Sequence, residues 1–117
     1  MAMYKVTKKD GYYTYEAPGH FDCRLTRLHD PADVEGGRVI NGLSHFLPGG
    51  GTEYLSNNME SIYYIIEGQM LFKGDDGEEF LLTKGDSVHI APGCKKCVTN
   101  TGITSAQMLV VLVPAAQ

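Results

Sequence analysis

The sequence predicts an all-β domain, a barrel or sandwich of many short strands. Three observations carry this reading. Apolar runs rich in Ile, Val and Tyr recur at regular spacing, as in Ser61 to Glu67, Ser87 to Ala91 and Ala106 to Val113. Fourteen glycines and five prolines fall mostly between those runs, where they turn or stop strands. No window holds a helical apolar period of useful length. With 117 residues, 43% of them hydrophobic, the chain is expected to form one domain, 1–117, around one core.

The elements follow in order. Residues 1–11 are polar and short, an extended arm or a first strand, and Tyr12, Tyr13 and Tyr15 suggest a β segment before Pro18-Gly19. Phe21 to Leu28 has a strand period, with Phe21, Cys23, Leu25 and Arg27 on one face. His29 to Asp33 is a turn that can open one helical turn, ended by Gly36-Gly37. Arg38 to Leu47 reads as a strand closed by Pro48, and a glycine-rich turn follows at Gly49-Gly50-Gly51. Ser61 to Glu67 and Gln69 to Lys73 are strands on either side of Gly68. Gly74-Asp75-Asp76-Gly77 is a hairpin signal, with Glu78 to Thr83 as the return strand. Ser87 to Ala91, Cys97 to Asn100 and Ala106 to Val113 complete the set.

Composition excludes some partners. The formal net charge is −4 and no basic cluster is present, which argues against nucleic acid. No apolar run approaches membrane-spanning length, and the first residues lack a signal-peptide core, so a cytoplasmic protein is expected. Cys23, Cys94 and Cys97 are an odd number of thiols and are expected to be reduced.

Two segments stand out. Pro48-Gly49-Gly50-Gly51 leads to Tyr64-Ile65-Ile66-Glu67-Gly68, and Gly85-Asp86 leads to Pro92-Gly93 and Asn100. Together they resemble the two motifs of the cupin superfamily, over roughly residues 38–113. The resemblance implies a double-stranded β-helix, the jelly-roll barrel.

It also implies where a metal would be held. Cupins that bind Fe, Mn, Zn, Ni or Cu carry two histidines and a glutamate in the first motif and a third histidine in the second. Counted from Gly68, the first three positions fall here on Leu55, Asn57 and Ser61; counted from Gly85, the last falls on Lys96. None of these is a good transition-metal ligand, and a protonated lysine repels a cation. No cofactor is therefore expected, and a divalent metal at a non-standard site is the alternative. Glu60 lies one residue before the glutamate position; it faces inward only if a bulge shifts the strand by one, and is otherwise a surface side chain.

Other residues offer chemistry. His45 and His89 each lie on an expected strand; if both rings point inward they can bind a metal or exchange protons, and otherwise they are ordinary strand histidines. His20 and His29 lie in turns and are expected to face solvent. Cys94-Lys95-Lys96-Cys97 has C-x-x-C spacing, which supports redox chemistry or a zinc half-site completed by His89 or a carboxylate, beside two lysines that would lower a thiol pKa; the plainer reading is two small turn residues. Lys96 at a pocket mouth can hold a carboxylate or phosphate, or, desolvated, serve as a base or Schiff-base amine. Asn57, Ser61 and Lys96, with Glu60 or Glu53, would make a polar pocket, and Tyr63 or Tyr64, whichever faces inward, an aromatic wall; Tyr64 is the ring assigned to the ligand.

The reading is a metal-independent cupin that binds a small anionic or hydroxylated metabolite. The alternative is a small-metabolite isomerase, lyase or decarboxylase, with His45, Glu60, His89 or Lys96 as the acid–base groups. A homodimer is expected from the resemblance and from an arm carrying Tyr4 and Val6.

Overall fold

The computed structural model describes residues 2–115. Among them are nine strands: β1 (Tyr13–Tyr15), β2 (His20–His29), β3 (Ile40–Thr52), β4 (Met59–Glu67), β5 (Gln69–Lys73), β6 (Glu79–Thr83), β7 (Ser87–Ile90), β8 (Cys97–Thr99) and β9 (Ala106–Pro114). The strand order is β6-β5-β8-β3-β9-β4-β7, with β2 added on β3 and β1 on β2. Every pairing is antiparallel. The chain is all-β, as its turns and alternation imply. No helix among the described residues is long and apolar enough to cross a membrane.

The long strand β3 organises the barrel. Its first half pairs with β9, from Ile40–Leu112 to Phe46–Ala106, and its far end meets β8 at Gly51–Thr99. Sequence alone stops this strand at Pro48 and makes the glycines a turn. Instead the strand runs on through Pro48 to Thr52. The glycines are needed for close approach: a Cβ at Gly50 would lie 2.3 Å from the Asp22 carbonyl oxygen, and one at Gly51 would lie 2.1 Å from that of Val98. Asn100 locks this crossing from the other side, its N–H donating to the Gly50 carbonyl at 2.8 Å.

Local chemistry explains the remaining connections. Asp76 accepts from the Glu78 N–H at 3.0 Å and Gly77 has φ +82°, which closes the β5–β6 hairpin. Asp30 accepts from the Ala32 N–H at 2.9 Å and starts a 3₁₀ turn over Pro31–Asp33. In β2, Asp22 bulges at φ 50° between Phe21 and Cys23. Residues 2–12 form an exposed arm with one 3₁₀ turn at Lys9–Gly11.

The core is a cluster of Phe46, Ile65, Met70, Phe72, Leu82, Ile90, Val98, Ala106 and Met108. Its members alternate with half-buried or exposed residues along their strands, the pattern expected when one face of a sheet is the more buried.

Candidate functional site

The inner face of the barrel is not filled. A cavity of about 410 Å³ opens beside the core, within the range of small-molecule sites. Alternation sets its walls. Leu25 and Arg27 come from β2, Ser44 and Phe46 from β3, Tyr63 from β4, and Met108, Val110 and Leu112 from β9. Val98 and Lys96 enter from β8 and the segment before it. The connections 16–19 and 53–58 contribute Ala17, Pro18, Gly19, Glu53, Leu55, Ser56 and Asn57. The Glu53 N–H donates to the Gly19 carbonyl at 2.7 Å, tying these two connections together.

Two cations face this space. Lys96 is 7% exposed, and burial lowers its amine below the usual lysine value, with the neighbouring Cys94 thiol partly opposing. Arg27 sits over the Tyr15 ring, its guanidinium carbon 4.5 Å from the ring centre. Its Nε is buried without a hydrogen-bond partner. Neither residue has a carboxylate within ion-pair distance among the described residues. Glu53 is the sole carboxylate lining the cavity among those residues, and His20, Thr52, Ser44 and Tyr63 supply further polar groups. Burial pushes the Tyr63 phenol up to about 12, so it is a neutral donor at physiological pH.

The family frame is visible in the geometry. Leu55 and Lys96, the positions aligned with its first and last histidines, are partners in an isolated antiparallel bridge. Asn57 also lines the cavity, its Oδ1 accepting from the Met59 N–H at 3.1 Å. Ser61 is fully buried, and its hydroxyl donates to the Met59 carbonyl at 3.4 Å rather than reaching the cavity. The side chains at these four positions are thus aliphatic, amide, hydroxyl and ammonium, a donor set that does not suit a transition metal. Among the described residues, no group of three His, Cys, Asp or Glu is placed to share a metal.

Several expected site residues lie elsewhere. Glu60 and His89 do meet, at 2.6 Å, but on the outside, with side chains 50% and 64% exposed. Strand β4 runs in regular register from Met59 to Ile65, so no bulge turns Glu60 inward. The same parity puts Tyr64 outside, 42% exposed, and makes Tyr63 the cavity ring. His45 alternates with the inward Ser44 and Phe46, and stands between Arg24 and Gln107 on the outer face. It does not converge with His89, because both rings lie on the outer face, on strands that have β9 and β4 between them. Cys94 packs against the core and Cys97 alternates with the inward Val98, so the two thiols do not complete a ligand set. Burial raises the Cys97 thiol, and Lys73 only partly offsets it, where adjacent lysines alone suggest a lowered value.

Sequence reasoning passed over Arg27, His20 and Tyr15. Arg27 carried a usable signal, a charge on the same face of β2 as Leu25. His20 is solvent-exposed as expected, but it sits at the start of β2, at the rim of the cavity, with its ring hydrogen-bonded to the Pro18 carbonyl at 3.1 Å. His29 ends that strand and bonds Asp33 at 2.7 Å, which holds the Asp33 carboxyl below its usual range.

Comparison with known proteins agrees with this architecture. The chain is 31% identical over 108 residues to a Mycobacterium tuberculosis protein named β-D-galactosidase, covering 92% of each. Its fold is similar to that of a Thermotoga maritima protein described as a predicted oxalate decarboxylase, with TM-score 0.80, 18% identity, and coverage of 95% of this chain and 100% of that one. It also resembles the Escherichia coli protein YlbA, with TM-score 0.78, 23% identity and coverage of 92% of this chain. The chain spans 44% of YlbA's length. The family model described as Cupin domain matches residues 42–112, and the chain belongs to that family, Cupin_2.

Proposed function

We propose that this protein binds a small hydroxylated carboxylate inside the barrel, through fixed side-chain charge and without a metal. The observation that carries the reading is the pair of cations, Arg27 and Lys96, lining one cavity without carboxylate partners among the described residues, in a chain of net charge −4. A buried charge left unpaired is costly, and an anionic ligand supplies the missing partner. Asn57, Ser44 and Tyr63 offer hydrogen bonds suited to hydroxyl groups. Of two similar proteins, the one described as a predicted oxalate decarboxylase has a name compatible with an anionic ligand, and the one named a galactosidase has a name compatible only with the hydroxyl groups.

The test is titration calorimetry with hydroxy acids, sugar acids, dicarboxylates and neutral sugars of matched size. Binding confined to the acids, and lost in Arg27→Met, supports the reading. Equal binding of neutral sugars, or no binding of any acid, overturns it.

A second reading, an acid–base enzyme on the same ligand class, is favoured by the lowered amine of Lys96 beside a protonated Tyr63. Glycoside hydrolysis by a pair of carboxylates fits less well, since Glu53 has no acidic counterpart among the described residues lining the cavity. Turnover of a bound acid by the wild type and not by Lys96→Met would select the enzyme.

A further inference from the structure

We propose that Lys96 captures carbonyl-bearing acids covalently, forming an imine with an α-keto acid whose carboxylate is held by Arg27. This rests on the anion-binding reading above and adds a bond to it. The amine nitrogen adds to the carbonyl carbon. The carbonyl oxygen then leaves as water with the two amine protons, and no oxidant or reductant is consumed. Water reverses the step and releases the acid.

The geometry singles out this lysine. Its neighbour Lys95 turns outward and stacks on the Tyr54 ring at 4.7 Å, while Lys73 sits 4.8 Å from the same ring. Lys96 instead points to the interior, 7% exposed, against the cavity. Its backbone cannot swing away. The Lys96 N–H donates to the Leu55 carbonyl at 3.1 Å, and the Leu55 N–H returns the bond at 3.2 Å. No carboxylate lies close enough to hold the ammonium form among the described residues. A desolvated lysine gives up its proton more readily than a solvated surface lysine, and its neutral fraction is the nucleophile. The Arg27 guanidinium lines the same cavity and offers a fork of donors to the carboxylate while the Lys96 amine reacts. Tyr63, a protonated phenol lining the same cavity, is available to donate to the departing oxygen.

The experiment uses the whole chain, pyruvate and cyanoborohydride, followed by peptide mapping. The expected result is one reduced pyruvate adduct per chain, on Lys96, at least about tenfold above any other lysine. Malonate, an anion without a ketone, should protect Lys96, and Arg27→Met should slow its labelling roughly thirtyfold. Lys96→Met should remove the adduct with the melting temperature maintained, and Lys96→Arg should bind malonate without trapping pyruvate. Label spread evenly over the surface lysines overturns the proposal, as does pyruvate that binds by calorimetry but is not trapped. That last result leaves the anion-binding reading standing. If neither pyruvate nor malonate nor any other acid binds, both fall.

Discussion

Leu55 and Lys96 face each other across an isolated bridge, each backbone N–H donating to the other's carbonyl. These are the positions aligned with the first and last histidines of metal-binding relatives. The bridge therefore presents an aliphatic side chain on one side and a cationic one on the other, neither of them a good transition-metal ligand. Replacing Lys96 by Met is expected to weaken binding of a small carboxylate roughly thirtyfold or more, the usual scale for losing one partner of a desolvated charge pair. Calorimetry checks the affinity. The melting temperature should not fall, because the substitution removes a buried charge rather than a packed group.

Affinity should depend on pH in one direction. Burial lowers the Lys96 amine below its ordinary value of 10.5. Carboxylate affinity is therefore expected to fall as pH rises through the alkaline range beneath 10.5, where Lys96 discharges first. Over the same window the unfolded chain binds more protons than the native one, so the Lys96 contribution to stability rises with pH. Lys96→Arg should flatten the affinity profile. A wild-type affinity that holds constant up to 10.5 would contradict this account.

The histidines on the outer face should be dispensable for ligand binding. His89→Gln removes an exposed pair with Glu60 and is expected to cost under about 1 kcal/mol. His45→Ala removes a ring whose Nδ1 has no partner. Neither change should alter carboxylate affinity by more than about twofold. A larger loss in either variant would mean that the outer face communicates with the cavity.

Asn100 should be a stability hot spot. It is 1% exposed, donates to the Phe46 and Thr104 carbonyls at 3.0 and 2.8 Å, and accepts from the Gly102 N–H at 2.9 Å. Asn100→Ala strands these buried groups, each at a cost of about 1–3 kcal/mol. Denaturant unfolding should show a lower midpoint at an unchanged slope.

Two glycines should differ in how well they tolerate a methyl group. Gly51→Ala drives a methyl against the Val98 carbonyl at a crossing of two strands. It is expected to cost about 3 kcal/mol or to abolish soluble expression. Gly77→Ala has open space and only the strain of φ +82°, a cost nearer 1 kcal/mol. Melting temperatures of the two variants, measured side by side, test the ordering.

Much of the fold was legible because its signals are local. The hairpin at 74–77, the helical turn after Asp30 and the stop at Gly68 each follow from one or two residues. The extent of β3 was not, because Pro48 and three glycines look like a turn until β8 and the Asp22 bulge are seen pressing on them. The site was half legible. Counting from the motif glycines brought Lys96 and Asn57 to the cavity, but gave Ser61 a role its hydroxyl does not have.

What the sequence determined by itself was the set of short strands and the family frame, with Leu55, Asn57, Ser61 and Lys96 at the positions counted from the motif glycines. Tertiary structure decided which face of each strand is inside. It sent Glu60, Tyr64, His45 and His89 outward, brought in Tyr63 and Arg27, and set the exposed His20 at the cavity rim. The physical reason is the two-residue period of a strand: a single-residue bulge or its absence reverses every side chain, and it is fixed by pairing with distant strands. The isolation of Arg27 and Lys96 is likewise a property of the packed barrel, since a charge is unpaired only once its neighbours in space are known.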